Sequence, residues 1–263
     1  MTALAARTRG SDRLRSVGLP AAVALGLLLL LQLLTVTDVL PRTYLPPPTE
    51  VLGTLGRLLT GATLWSDIGS TVIGWGISLA IAVALGTVVG LLLGNLPAVQ
   101  ALLTPVIEFL RPIPSIALIP LVILTIGGGR NGEVFLATYA AVWQMLVAAI
   151  YATGTVDPVA RQTAQAFGFS RLHTIRWVTL PSMLPGLVTG VRIASATALI
   201  ITVTSEILIG VPGLGHGLNL ARNAGDLERM YAYIVVIGVV GLVINIVFTA
   251  VSRRFLGWKE AGR

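Results

Sequence analysis

The sequence predicts an all-α protein that crosses a membrane six times. Two observations lead to this prediction: only 11% of the 263 residues are charged while 55% are hydrophobic, and the apolar residues gather in long runs. Soluble domains carry about 25% charged residues, whereas about 20 apolar residues are enough for a helix to cross a bilayer. The predicted spans are residues 17–37, 68–94, 100–126, 134–153, 184–210 and 231–251.

The first predicted span follows a basic leader that contains Arg7, Arg9, Arg13 and Arg15. A cleavable signal peptide also begins with basic residues, but its apolar region is shorter than this run and ends at a small-x-small site. No convincing site of that kind follows residue 37. We therefore expect a retained membrane anchor.

The distribution of Lys and Arg predicts the orientation of the chain. With the N-terminus placed in the cytoplasm, eleven of these residues fall in cytoplasmic segments and five in outer loops, as the positive-inside rule requires. Both termini are then cytoplasmic: a basic segment, 1–16, and a tail, 252–263, flank one membrane domain, 17–251. Within that domain, residues 38–67 form an outer segment and residues 154–183 a cytoplasmic loop.

The outer segment contains a predicted amphipathic helix. Pro46, Pro47 and Pro48 stiffen the chain, and Thr49 is expected to cap the helix that follows. The apolar residues of this helix share one face, which predicts either a helix on the outer membrane surface or a helix packed onto its own bundle. These residues are Val51, Leu52, Leu55, Leu58 and Leu59.

The second span carries a small residue at every fourth position. Small residues at this spacing let two helices approach closely, so the stripe predicts a helix–helix contact. A partner helix in the same subunit is the default expectation, and a second subunit is the alternative. The stripe consists of Ser70, Gly74, Ser78, Ala82, Gly86, Gly90 and Gly94.

The third span is interrupted by prolines, which remove backbone donors and disturb a helix. Because freed carbonyls are costly in lipid, we expect this span in the interior, where it lines a pathway or forms a kinked structural helix.

Buried charges in membranes are usually paired or functional, and four ionisable residues lie in or near the spans: Glu108, Arg111, Arg192 and Glu206. The candidates for a pathway or gate are Glu108, Arg111, Pro112, Pro114 and Glu206, with structural pairing or helix capping as the alternative.

Several kinds of chemistry are missing from the sequence. The only lysine, Lys259, follows a tryptophan, so the chain has no Gly-Lys-Ser/Thr motif for nucleotide phosphates. His173 and His216 fall on opposite sides of the membrane, which excludes a shared metal site within one subunit, and the absence of cysteine excludes disulfides.

The net charge of +7 is spread between apolar runs, which argues against a nucleic-acid-binding surface. The glycine-rich stretch 210–217 follows a span and predicts a turn or a re-entrant bend.

The cytoplasmic stretch 159–185 predicts a helix–turn–helix shelf. Pro158 can start a first helix, Gly168 allows a sharp turn, and Ser170 can cap a second helix that Leu180 and Pro181 end. The first helix has one face formed by Val159, Gln162, Thr163, Ala166 and Phe167. A shelf with an exposed tip suits docking into a partner's groove.

This stretch resembles the "EAA" loop of binding-protein-dependent ABC importer permeases. The family pattern is Glu-Ala-Ala, three residues, Gly, nine residues, Ile, one residue and Leu-Pro. The corresponding residues here are Gln162-Thr163-Ala164, Gly168, Val178 and Leu180-Pro181. Gln162 and Thr163 depart from the pattern, which puts in doubt an ionic contact made by the glutamate.

The resemblance extends along most of the chain to the nitrate, sulfonate and taurine subgroup of these permeases. It rests on the prolines at 46–48, the stretches 110–114, 117–120 and 156–158, and Glu206 followed by Gly213-Leu214-Gly215.

The resemblance implies a type I ABC importer permease in the cell inner membrane, without catalytic residues or a cofactor of its own. A second permease copy, giving a homodimer in membrane lipid, would complete the pathway. Two cytoplasmic ATPases would bind ATP and Mg, and an extracytoplasmic solute-binding protein would deliver a small organic anion, such as a sulfonate or taurine, or nitrate. The implied ATPase-coupling residues are Gln162, Thr163, Ala164, Ala166, Phe167, Gly168, Phe169, Ser170, Arg171, Leu180 and Pro181.

An ion-coupled secondary transporter that works without an ATPase is the alternative function. Secondary transporters often contain internal repeats, and no convincing repeat joins the two halves of this chain. A membrane enzyme would need a cluster of catalytic residues, which the sequence does not offer.

Overall fold

The computed structural model describes residues 2–260, with side chains described from 18 to 253 apart from residue 21. The described chain is helical, and the orientation-determining residues Arg7, Arg9, Arg13, Arg15, Arg254, Lys259 and Arg263 lie outside the described side chains. The helices are α1 (Thr2–Val36), α2 (Pro48–Leu59), α3 (Ala62–Asn95), α4 (Pro97–Leu110), α5 (Ile119–Thr125), α6 (Arg130–Gly154), α7 (Pro158–Ala166), α8 (Arg171–Thr174), α9 (Leu180–Ile209), α10 (Leu214–Asn223) and α11 (Leu227–Glu260), with a 3-10 turn at Ser115–Leu118 and a π turn at Ile175–Thr179.

Five helical segments are long and apolar enough to cross a membrane. They correspond to five of the six predicted spans. The sixth, predicted at 100–126, is broken: α4 and the segment Ser115–Thr125 meet at 77°. Counting this pair as one broken span gives six. The five segments are Gly18–Val36, Ala62–Asn95, Arg130–Gly154, Arg171–Ile209 and Leu227–Arg253.

Helix α6 lies between α3 and α9 and forms the centre of the subunit. The small-residue stripe of α3 faces α6: a Cβ added at Gly86 would lie 2.7 Å from the Met145 Cβ, and one added at Gly94 would lie 2.6 Å from the Thr153 Cβ. On the other side, Gly190 of α9 approaches the Ala148 side chain equally closely. Backbones can come this near only where side chains are absent.

Helix α2 packs onto the bundle, the second of the two arrangements considered above. Leu55 and Leu58 contact a buried cluster that includes Tyr233 of α11, and the Thr54 hydroxyl donates to Glu228 at 2.8 Å. Leu52 and Leu59, predicted on the same apolar face, are exposed.

The predicted cap of α2 is wrong. Pro47 occupies the N-cap position and Pro48 begins the helix, because a proline at the first helical position loses no hydrogen bond. The Thr49 side chain instead pairs with Gln32 of α1: its hydroxyl accepts from Nε2, and its backbone N–H donates to Oε1, each at 3.1 Å.

The break between α4 and α5 falls at Pro112 and Pro114. The carbonyl oxygen of Leu110 accepts hydrogen bonds from the Ile113 N–H at 3.2 Å and from the Tyr139 hydroxyl of α6 at 2.7 Å, so protein covers the backbone there, as expected. However, α4 contributes no buried residue to the subunit. The expectation that this span is interior is therefore wrong for α4 within one subunit, because the 77° bend leads it away from the α3–α6–α9 core.

Gly90→Ala is expected to destabilise the subunit, because the added methyl group would lie 2.5 Å from the Ala149 Cβ and 2.8 Å from the Leu146 carbonyl oxygen. Overpacking typically costs about 1–3 kcal/mol of unfolding free energy. The matched control is Gly76→Ala in the same helix, where the added group meets nothing within 4 Å and alanine favours the helix. Thermal unfolding in detergent should show a lower midpoint for Gly90→Ala alone, and equal midpoints would contradict the close α3–α6 contact.

Candidate functional site

The segment between α6 and α9 forms a shelf at one end of the bundle, here called the α7–α8 shelf (residues 158–179). Asp157 caps α7 by accepting from the Val159 N–H at 2.8 Å, and Pro158 is the first helical residue. Arg161 ties the shelf to the core, since its guanidinium donates to the Thr153 carbonyl oxygen at the end of α6. Pro158 therefore starts the first helix, as the sequence predicts.

The turn after α7 is built on Gly168, whose φ of 75° favours glycine. The Phe169 N–H donates to the Ala164 carbonyl at 3.0 Å, and the Gly168 N–H donates to the Gln165 carbonyl at 2.9 Å. This pair of bonds is the Schellman arrangement, which satisfies the last carbonyls of a helix. The buried Ala164 anchors the turn, and Gly168 projects outward with nothing within 4 Å of an added Cβ.

The second helix begins where expected and ends elsewhere. The Ser170 hydroxyl accepts from the His173 N–H at 3.3 Å and so caps α8. The helix does not stop at Leu180 and Pro181, contrary to the prediction: it passes through the π turn and continues as α9. The π turn explains the difference, because its Leu180 N–H donates five residues back, to Ile175, and Pro181 then falls in the first turn of α9, where its missing N–H is tolerated.

The α7–α8 shelf exposes large apolar side chains, two of them close to the Gly168 turn in sequence and one in the π turn. Phe167 is 80% exposed, Leu172 74% and Trp177 63%. Exposed apolar surface on a protein commonly marks an interaction site. The polar members of the predicted coupling set are exposed beside them: Gln162, Thr163, Ser170 and Arg171.

The predicted pathway residues do not form one cluster. Glu108, Arg111, Pro112 and Pro114 are all exposed around the break after α4, and among the residues with described side chains Glu108 and Arg111 form no ion pair. Glu206 lies far along the chain, near the end of α9, and is fully buried.

Glu206 holds the start of α10 against α3. Its Oε1 accepts from the Thr71 hydroxyl at 2.7 Å, and its Oε2 accepts from the Gly215 N–H at 2.8 Å. The Thr71 hydroxyl in turn accepts from the Leu214 N–H at 2.9 Å. Gly213 passes so close to the carboxylate that a Cβ there would overlap it. Among the roles considered for Glu206, the geometry is that of a helix cap.

A second buried carboxylate, which the sequence interpretation missed, lies at the start of α6. Both oxygens of Glu133 accept from Arg130, at 2.8 and 2.9 Å. Arg130 also donates to the Ser70 hydroxyl and, at 3.3 Å, to the Pro212 carbonyl. The pair therefore links α3 and α6 to the turn at 210–213. Its spacing of three residues at the beginning of an apolar run was the available signal.

Glu206→Ala is expected to loosen the start of α10, because the Gly215 N–H loses its acceptor and a hydrogen bond to a charged group contributes about 1.5–3 kcal/mol. Amide hydrogen exchange in the peptide that contains Gly215 should rise about tenfold or more. The matched control is Glu50→Ala, whose carboxylate is exposed on α2. Unchanged exchange at Gly215 would contradict a capping role for Glu206.

Two bacterial relatives match most of this chain. The taurine transport system permease protein of Escherichia coli K12 is 30% identical over 223 residues, which cover 82% of this chain and 80% of the relative. A putative aliphatic sulfonates transport permease protein of Bacillus subtilis is 24% identical over 85% of this chain and 81% of its own.

The fold also matches solved structures. An inward-facing MetNI methionine ABC transporter chain superposes with a TM-score of 0.59 at 18% identity, over 73% of this chain and 94% of that one. At this identity the likeness shows the fold alone. It confirms the all-helical, type I ABC importer permease-like fold predicted from the sequence.

The family model described as "Binding-protein-dependent transport system inner membrane component" matches residues 86–257. This range contains α6, the α7–α8 shelf, α9 and α10, the elements that build the two ends of the bundle. The chain belongs to the binding-protein-dependent transport system inner membrane component family, the membrane permeases of ABC transporters.

Proposed function

We propose that this chain forms the solute pathway of an ATP-driven importer and that the α7–α8 shelf couples it to a separate ATPase. The observation on which the proposal rests is the shelf's geometry. A short helix, a glycine turn and a capped second helix present an exposed tip at the positions of the EAA-type pattern.

The chemistry of the tip favours docking into an apolar groove of the ATPase. Gln162 stands where the family pattern has an acidic residue, so an ion pair at that position is not available. Phe167 and Leu172 expose most of their apolar surface beside Gly168, and burial of such surface drives protein association. Shape and apolar contact would therefore provide most of the docking energy.

The remaining parts of the proposed importer follow from the family. A second copy of this chain would complete the pathway as a homodimer in the lipid of the inner membrane, with both termini in the cytoplasm. Two ATPase subunits would hold ATP and Mg and hydrolyse the nucleotide, and an extracytoplasmic binding protein would deliver the solute. ATP-driven closure of the ATPases would move the two shelves together, a rigid-body switch between two arrangements.

The proposed substrate is a small anion. Relatives described as taurine and aliphatic sulfonate permeases support a sulfonate, and the subgroup resemblance adds nitrate. The alignment with each of these two relatives covers more than four fifths of this chain.

Gly168→Arg is expected to abolish ATPase docking while the protein still inserts into the membrane, because a long charged side chain would stand on the exposed turn. The matched control is Gly225→Arg at the other end of the bundle. Gly225 has a φ of 73°, and an added Cβ there also meets nothing within 4 Å, so both variants carry the same backbone strain.

The measurement is co-purification of the ATPase with the tagged permease, followed by ATP hydrolysis of the complex. We expect at least a tenfold loss of bound ATPase for Gly168→Arg, equivalent to about 1.4 kcal/mol or more, and near-normal binding for Gly225→Arg. Normal ATPase recruitment by Gly168→Arg would overturn the coupling role. Solute uptake driven by an ion gradient in liposomes that contain this chain alone would favour the secondary-transporter alternative.

A further inference from the structure

The broken span crosses the whole bundle. Its first half, α4, begins just after α3 ends, at the end of the bundle that carries the α7–α8 shelf, where Asn95 of α3 lines one groove with Gln165 of the shelf. Its second half, α5, leads to the turn at 127–129, where a Cβ added at Gly128 would lie 3.5 Å from the Ile209 side chain at the far end of α9. The segment is therefore a span with a break in it and not a re-entrant loop.

Contacts with α6 fix the depth of the α4–α5 break (residues 111–117). Before the break, the Leu110 carbonyl accepts from the Tyr139 hydroxyl, and after it Leu118 and Ile119 pack in one cluster with Leu136. At 1.5 Å per residue, the stretch 136–139 lies about 9–14 Å from the start of α6 and about 22 Å from its end. The hydrocarbon layer is about 30 Å thick, so the break lies inside it.

The backbone of the break cannot face lipid. Pro112 and Pro114 have no N–H to donate, and the carbonyls of Arg111 and Pro112 accept no hydrogen bond from the described part of the chain. These three residues are also exposed in the subunit. Non-helical backbone at this depth is tolerated only where protein or water covers it, so something other than acyl chains lies against the break.

The two charged residues of the broken span favour water over a dry protein contact. Glu108 and Arg111 are the only charged residues between positions 97 and 125, and both are exposed at the break. An ionised side chain inside the hydrocarbon layer is costly, so such residues face a bundle interior or a water-filled cavity. Both charges at one break point to a surface that is wet.

Helix α3 shows what an apolar exposed face looks like at the same depth. The Thr138 hydroxyl of α6 donates to the Ser78 carbonyl of α3 at 3.4 Å, which places the next turn of α3 level with Tyr139. The exposed residues there include Ile77 and Ala80, and no charged residue occurs from position 68 to 95. This continuous apolar helix suits lipid, whereas the broken and charged segment does not.

We propose that the α4–α5 break lines a water-filled part of the solute pathway inside the hydrocarbon layer. The inference rests on the proposed import function and deepens it by naming the segment that the solute passes. The facing wall would come from the second copy of the proposed homodimer, because the described part of one chain leaves the break exposed. Glu108 and Arg111 would then give this wall both a negative and a positive charge.

The absence of native cysteine allows a direct test by single-cysteine labelling. Ala117→Cys places a thiol at the break, and the matched control Ala80→Cys places one on the apolar face of α3; both alanines are exposed in the subunit. Membrane vesicles that contain the full importer are treated with two water-soluble methanethiosulfonates, one carrying a sulfonate and one a trimethylammonium group. Labelling after denaturation in detergent shows that each thiol is present and free.

We expect Ala117→Cys to react with both reagents in intact membranes, and Ala80→Cys to react only after denaturation. In the Ala117→Cys protein, Arg111→Gln should lower the ratio of the anionic to the cationic labelling rate, and Glu108→Gln should raise it. Each change should be about twofold or more, as expected for removal of a nearby charge. Arg111→Lys keeps the charge and should preserve the ratio.

Three outcomes would overturn the proposal. An Ala117→Cys thiol that resists both reagents would mean that the break is dry, and a disulfide between two copies at this position without labelling would identify a closed interface. Equal reactivity of Ala80→Cys would mean that the break is no wetter than the apolar face. The assay needs no ATP hydrolysis, so normal ATPase recruitment by Gly168→Arg would sink the coupling role and leave the labelling result standing.

Discussion

The close approach of α3 and α9 to α6 is the contact on which the rest of the structure depends. In lipid the hydrophobic effect does not draw helices together, so close packing and hydrogen bonds must do so. Glycines 86, 90 and 94 of α3 and Gly190 of α9 let the backbones meet α6 at distances that a single methyl group would prevent. The Trp75 indole of α3 adds a hydrogen bond of 3.0 Å to the Ser195 carbonyl of α9, which closes the three-helix unit.

The two ends of α6 position the two polar regions of the molecule. At its start, Arg130 and Glu133 neutralise each other and bind Ser70 and the 210–213 turn, so their burial is compensated. At its other end, the Thr153 carbonyl accepts from Arg161 and holds the α7–α8 shelf. Helix α6 therefore connects the capped end near Glu206 to the shelf through one rigid element with no proline in it.

Small residues at four-residue spacing, and the proline, glycine and serine that start or end helices, made much of this arrangement predictable. Four-residue spacing of small side chains predicted the α3 contact surface, and Pro158, Gly168 and Ser170 predicted the local geometry of the shelf, because each acts through its own backbone or its near neighbours. Features that depend on tertiary partners escaped prediction. Pro47 takes the cap position expected for Thr49, whose side chain pairs with Gln32, and a π turn accommodates Pro181. The role of Glu206 depends on the amide of Gly215, nine residues away across a turn.

The unexpected continuation of α8 into α9 has a mechanical consequence. From Arg171 to Ile209 the backbone is helical throughout, so the second half of the shelf and the membrane-spanning part of α9 belong to one element. A helix transmits displacement along its length with little loss unless a defect bends it. Here the π turn at Ile175–Thr179, within the shelf, is such a defect. The π turn is therefore the point at which a displacement of the shelf tip would either bend the helix or pass on into α9. Under the proposed coupling role, a movement of the shelf would reach the membrane-spanning part of α9 through this turn, because no loop separates the two.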